Sequence, residues 1–304
     1  MFAHLLHITN FRSPLARAIA PCVAAALALQ AAAALPSVLA RSERFFDLSG
    51  SLTFLAVGAL SLGLPRLRAA AGAGAALPSW RQVALTAMAT AWTARLGIYL
   101  FDRITRDGHD ARFERLRTQP LRFAASFAMQ AAWVSLMLMP VLAVNAVPAA
   151  AFAAVPRVVA TDAVGLALWA AGMAVEAVAD AQKARWLARK RAKQHDEHFF
   201  RGGLFSICRF PHYFGEISLW TGLATVAAGV LARGPVQAAL GLAGPAGVLA
   251  TTALAFTAPA FSALLLLKVS GIPLTEARHD ERFRDNADYH EWKANTPRLV
   301  PRLW

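Results

Sequence analysis

Long runs of Ala, Leu and Val alternate with short polar connections along this chain. Seven such runs lie near Ala18–Ala40, Leu48–Leu64, Val83–Leu100, Ala124–Ala146, Thr161–Ala181, Ile217–Leu231 and Pro235–Leu267. A bilayer crossing takes roughly 20 apolar residues. The pattern therefore predicts an all-α fold, a polytopic membrane bundle of about seven transmembrane helices forming a single domain over residues 1–304. The last run is too long for one simple crossing. Its Gly241, Gly244, Pro245, Gly247 and Pro259 predict a kink or a short re-entrant piece before the crossing. The first run is longer than a signal-peptide core and lacks a plausible cleavage site, so it reads as a retained span. The Ala/Gly-rich stretch Ala69–Ala76 reads as a loose connection.

Composition strengthens the membrane reading. The chain is 57% hydrophobic and only 16% charged, with a mean hydropathy of +0.43, against about 45–50% apolar and about 25% charged in ordinary soluble domains. Its net charge of +13 is concentrated in three connections, after the third, fifth and seventh runs. Those between them carry only Arg157 and Arg233. Basic loops stay cytoplasmic, so the expected topology has the N-terminus outside and the C-terminus in the cytoplasm, although Arg66 and Arg68 run against it. Basic residues lying between spans, with no recognition module, argue against nucleic-acid binding. Cys22 and Cys208 form neither a disulfide framework nor a metal-ligand pair.

Five constellations could carry chemistry. Glu176, Asp180 and Lys183 share a face of the fifth helix through their four-then-three spacing, either as an ion-pair ladder or as a site near its cytoplasmic end. Trp92, Arg95, Tyr99 and Arg103 share a face of the third, and an Arg inside an apolar run needs an anionic partner. Asp47 either caps the second helix or is an acid facing a cavity. The stretch Arg209-Phe-Pro-His212-Tyr213-Phe-Gly-Glu216 packs polar groups against a span. There Pro211 is expected to halt regular helix, Gly215 to permit close backbone approach, and Glu216 to sit at the head of the next helix. The tail, residues 268–304, is charged and amphipathic and either folds over the cytoplasmic mouth or stays solvated.

Four stretches together resemble the steroid 5-alpha-reductase superfamily, in particular its bacterial, uncharacterised integral-membrane branch. They are Trp92-Thr-Ala-Arg95-Leu-Gly-Ile-Tyr99, Glu176-Ala-Val-Ala-Asp180-Ala-Gln-Lys183, the segment from Gly202 to Glu216, and Ser270-Gly-Ile-Pro-Leu. The resemblance covers residues 45–301. It implies a cytoplasmic-facing site in the bacterial inner membrane, NADPH as cofactor, and reduction of an activated C=C bond of an enone in a hydrophobic steroid- or lipid-like substrate. It implies cofactor contacts from Arg95, Glu176, Asp180, Lys183, Arg209, His212, Tyr213 and Glu216, and from Arg282 and Tyr289 in the tail. It places Asp47 and Trp92 near the substrate carbonyl, where Asp47 would have to be protonated to stabilise an enolate. Trp92 stands where the steroid enzymes carry a Tyr, and Phe210 where a His is usual. No metal site is expected.

Two other readings stay open. Isoprenylcysteine and phospholipid methyltransferases carry a similar Arg-His-Pro-x-Tyr turn and a tail Glu, here Glu276, and use S-adenosylmethionine. A non-enzymatic lipid-binding membrane protein is the third.

Overall fold

The computed structural model describes residues 9–68 and 76–302. Most of the connection expected at 69–76 lies outside the described residues. Among the described residues ten α-helices follow in order: α1 (Pro14–Leu39), α2 (Phe46–Arg68), α3 (Trp80–Asp107), α4 (Pro120–Asn145), α5 (Ala160–Arg191), α6 (Pro211–Leu231), α7 (Gly234–Ala239), α8 (Gly244–Leu264), α9 (Ile272–Arg282) and α10 (Ala287–Asn295). No strand occurs among the described residues. Among these residues seven helices are long and apolar enough to cross a membrane: α1 to α6, and a seventh that starts with α8.

Local chemistry sets the helix ends. Ser13 caps α1 ahead of Pro14, and Pro120 opens α4, where its missing N–H costs nothing. At α3 a capping box forms. The Ser79 side chain accepts from the backbone of the first turn while its own N–H donates to Gln82 Oε1 at 2.9 Å. Gly108, left-handed at φ +77°, closes the other end.

Two boundaries differ from the sequence reading. Helix α5 runs ten residues past the expected Ala181, to Arg191. Its charged last three turns lower the hydropathy without breaking the helix. At 1.5 Å per residue it is about 48 Å long, against about 30 Å of hydrocarbon, so Glu176 and Asp180 sit within the helix and not near its end. Pro211 does not halt a helix. It opens α6, its fixed φ being suited to a first turn, and Glu216 consequently lies more than a turn inside. The seventh run divides as expected, into the short α7, a break, and then α8, which continues through a π-helical turn at Leu265–Val269. Gln237 of α7 fastens this break by donating to Leu231 O at 2.6 Å and to Thr251 Oγ1 at 2.9 Å.

The chain separates into two compact units. The first comprises Met1–Asp162 and Ala224–Ala258, the second Ala163–Leu223 and Pro259–Trp304. In the first, α1 to α4 pack around Phe54, Trp92 and Trp133, with ring centroids 5.7–6.1 Å apart. Asn145 donates to Ser61 Oγ at 2.8 Å and to Thr86 Oγ1 at 3.1 Å inside the bundle. A buried ion pair joins Arg81 to Asp162 at 2.6 Å, with side-chain exposures of 2% and 1%. Arg81 also donates to Pro156 O at 2.9 Å. Both bonds leave through Nη2, while Nε faces the carboxylate from the side, a forked geometry suited to guanidinium.

In the second unit α5 and α6 meet along a glycine seam. A Cβ on Gly172 would stand 2.5 Å from Leu219 N, one on Gly215 2.7 Å from Glu176 N, and one on Gly222 2.5 Å from Gly165 O. The close approach expected at Gly215 is thus present, and it recurs twice along the same pair of helices.

Candidate functional site

The second unit holds a cavity of about 170 Å³. One face of α5 supplies Lys183, Trp186, Leu187 and Lys190, the segment leading to α6 supplies His198, Phe199, Phe200, Phe205, Arg209 and Phe210, and α6 itself supplies His212. The tail closes it with Thr275, Glu276, His279 and Arg282 from α9, Phe283, and Tyr289 and Trp292 from α10. A second space of about 300 Å³ shares Lys190, His198, Arg282 and Phe283 with the first and adds Asp285 and Asn286.

Hydrogen bonds position this wall. Leu204 N donates to Gln182 Oε1 at 2.9 Å, and the preceding Gly203 is left-handed at φ +57° with Gln182 against it. A side chain there would meet both strain and collision. Lys190 donates to the carbonyls of Glu197 and His198 and lies over the Trp186 ring at 4.9 Å. The end of the chain bonds back to the segment before α6. Trp292 Nε1 donates to Phe205 O at 3.1 Å, Arg209 N to Pro297 O at 2.9 Å, and Arg302 N to Ile207 O at 3.0 Å. Cys208, fully buried, donates through Sγ to Leu299 O at 2.7 Å. Burial pushes its thiol pKa up, and a buried thiol of this kind is a packing residue rather than a nucleophile.

Aromatic rings form much of the surface. Phe199 contacts Phe283, Tyr289 and Trp292 at 5.4–5.7 Å, and Phe205 meets Phe200 at 5.1 Å and His212 at 5.9 Å. Four lining cations, Lys183, Lys190, Arg209 and Arg282, face one lining carboxylate, Glu276. Arg209 pairs with that carboxylate at 2.5 Å and donates through Nε to Thr296 O at 3.1 Å. Arg298 holds the other Glu276 oxygen at 3.3 Å. Tyr289 donates to Asp280 Oδ1 at 2.8 Å. Burial, and then this carboxylate, raise the phenol's pKa, so it remains a donor.

Of the residues singled out from sequence, Lys183, Arg209, His212, Arg282 and Tyr289 converge on this cavity. Glu176, Asp180, Tyr213 and Glu216 belong to the same unit but are not among its lining residues. Glu176 is buried beside the glycine seam. Glu216 accepts from Ser262 Oγ at 2.9 Å. Tyr213 stacks on Phe210 at 5.6 Å and touches the His212 ring at 4.1 Å. Arg95, Asp47 and Trp92 lie in the first unit. Arg95 is half-buried on α3. Trp92, 1% exposed, is part of the aromatic core. Asp47, in the first turn of α2, is engaged by Arg103 at 3.3 Å and Arg112 at 3.2 Å. These guanidiniums also hold Asp110, at 3.0 and 2.7 Å. An aspartate shared by two arginines is placed for an ion-pair network and not for donating a proton.

Trp186, Leu187 and Lys190 went unnoticed in the sequence, yet they carry a readable signal. The spacing that joins Asp180 to Lys183 continues through 186, 187 and 190 on the same helical face. The aromatics at 199, 200, 283 and 292 have no such signal, since only the folded tail brings them together.

Taken together, these features define an integral membrane protein of seven apolar helices with an aromatic, cation-rich cavity in its second unit. The family described as protein of unknown function (DUF1295) matches residues 35–296, and the chain belongs to it. No curated protein and no solved structure matches the chain.

Proposed function

We propose that this protein is a membrane-embedded, NADPH-dependent reductase of an activated C=C bond in a hydrophobic, steroid- or lipid-like substrate, as members of the steroid 5-alpha-reductase superfamily are. The observation that carries the reading is the pairing of four cations with aromatic walls in one cavity. Guanidinium and ammonium groups hold phosphates, and aromatic faces hold flat rings. A dinucleotide phosphate presents both. The residues fit such a group by donor chemistry: Lys183, Lys190, Arg209 and Arg282 would meet its phosphates, and Phe205, His212 and Trp292 its rings. When bound, the cofactor supplies hydride. The chain's own residues bind and orient it and, through the aromatic wall, exclude water. Asp47 and Trp92 have no catalytic part in this proposal, given the ion pairs of one and the packing of the other.

S-adenosylmethionine suits the cavity less well. It carries a sulfonium cation and no phosphate, so four cations against one carboxylate oppose it. On this reading the cavity-bearing tail lies on the cytoplasmic side of a bacterial inner membrane, where a soluble nucleotide has access, and the basic connections support that side.

Calorimetry on the detergent-purified chain decides between these readings. NADPH is expected to bind with an affinity that falls as salt rises, and Arg282→Gln and Lys190→Gln are each expected to weaken it by about tenfold or more. Absence of NADPH binding, or binding of S-adenosylmethionine in its place, sinks the proposal.

A further inference from the structure

A groove in the first unit lies between α1 and α4, with a volume of about 490 Å³. Leu27, Gln30, Ala34 and Val38 of α1 and Phe127 and Ala128 of α4 bound it. Small ligands occupy spaces of about 300–1,000 Å³, so the groove is of a size for one such molecule. Its walls are hydrocarbon with one exception, Gln30.

The environment of Gln30 is unusual. The residue is 1% exposed and sits in the middle of a membrane-spanning helix. Its Nε2 donates to Thr53 Oγ1 of α2 at 2.8 Å, while its Oε1, also buried, has no hydrogen-bond partner among the described residues. Hydrocarbon offers no water to satisfy it, and an acceptor without a donor costs stability. The Gln30–Thr53 bond alone would account for a polar staple between helices, but it leaves half of the amide unused beside an open apolar groove.

We infer that this groove binds an apolar, membrane-soluble alcohol. Its hydroxyl donates to Gln30 Oε1 and its hydrocarbon body lies against Ala34, Val38 and Phe127. With Nε2 committed to Thr53, the group left over is the acceptor Oε1, and it calls for a donor. A plain acyl chain fills the groove but leaves the amide unsatisfied, so the site selects for the alcohol. The assignment is independent of the nucleotide cavity and of the reaction proposed for it.

The test uses the full chain in detergent with farnesol and its methyl ether as probes, retention being read by native mass spectrometry. The methyl ether has the same body but cannot donate. Wild type is expected to retain farnesol about tenfold better than the ether, the worth of one buried hydrogen bond. Gln30→Met keeps the side chain's length, and it is expected to retain both equally. Ala128→Phe, on the exposed lip of the groove, is expected to abolish retention of both while leaving thermal unfolding unchanged. A structural staple would lower the melting temperature in Gln30→Met without altering the ratio between the two probes. Equal retention by wild type, retention of neither compound, a preference that survives Gln30→Met, or binding that survives Ala128→Phe each overturns the assignment.

Discussion

Replacing Gly215 with Ala tests whether the glycine seam sets the spacing of the two helices that carry the cavity. The added Cβ would meet Glu176 N and Gly172 O at 2.7 Å and Glu176 Cβ at 2.9 Å, whereas ordinary contacts lie at 3.4–4 Å. Two of these atoms belong to the α5 backbone, so no side-chain rotation relieves them. The helices must move apart by about 0.7 Å or distort, and overpacking of this kind typically costs about 1–3 kcal/mol. For a chain of this size that lowers the melting temperature by about 3–10 °C. Nucleotide affinity is expected to fall with it, because α5 carries Lys183, Trp186 and Lys190 while α6 carries His212. Gly63→Ala is the control. Nothing lies within 4 Å of that Cβ, and Ala is the better helix former by about 1 kcal/mol, so its melting temperature should hold or rise. Thermal unfolding in detergent, followed by nucleotide titration, reads both effects. If Gly215→Ala melts no lower than Gly63→Ala, the seam does not control the spacing and the reasoning fails.

Two further outcomes follow from the ion pairs of the first unit. Arg81→Met strands the buried Asp162 carboxylate, which is expected to cost about 3–5 kcal/mol. The double variant Arg81→Met/Asp162→Leu should recover most of that loss in the same unfolding assay, and a double variant as weak as the single would contradict it. At Asp110, burial raises the pKa, but the Arg112 bonds and the nearby Arg103 outweigh it and leave the carboxyl below its usual 3.8. A carboxylate with a depressed folded pKa contributes stability above its unfolded value and loses it as pH falls through the folded one. Pepsin cleavage within residues 108–119 should therefore stay low near pH 5 and rise only below about pH 3.8. Loosening that is already complete by pH 5 would count against the network.

Much of the fold was legible before any coordinates because apolar runs of membrane length carry their own signal. The divided seventh run was legible too, since its glycines and prolines mark breaks. Hydropathy failed at α5, where Arg185, Arg189, Lys190 and Arg191 end the apolar run but not the helix. Helical spacing would have reached Lys190. Pro211 misled for the opposite reason, because the same rigid ring that breaks a helix interior opens a first turn. The Arg81–Asp162 pair spans 81 positions, and each member resembles an ordinary first-turn residue, so no local pattern joins them. Only the resemblance put Asp47 and Trp92 beside a substrate carbonyl, and each is engaged by neighbours that lie far off in sequence.

The way the end of the chain bonds back to residues 205–209 has a consequence for synthesis. Residues 292–302 supply Trp292 and bond to the segment before α6. Translation delivers them after all seven of the apolar helices described above. The cavity is therefore a late product of biogenesis. A nascent chain halted after the seventh crossing, or one cut within α10, would already carry all of these apolar helices and still lack a closed cavity. Placing the apolar helices and closing the cavity are therefore separable steps, and only the second needs the tail in its place.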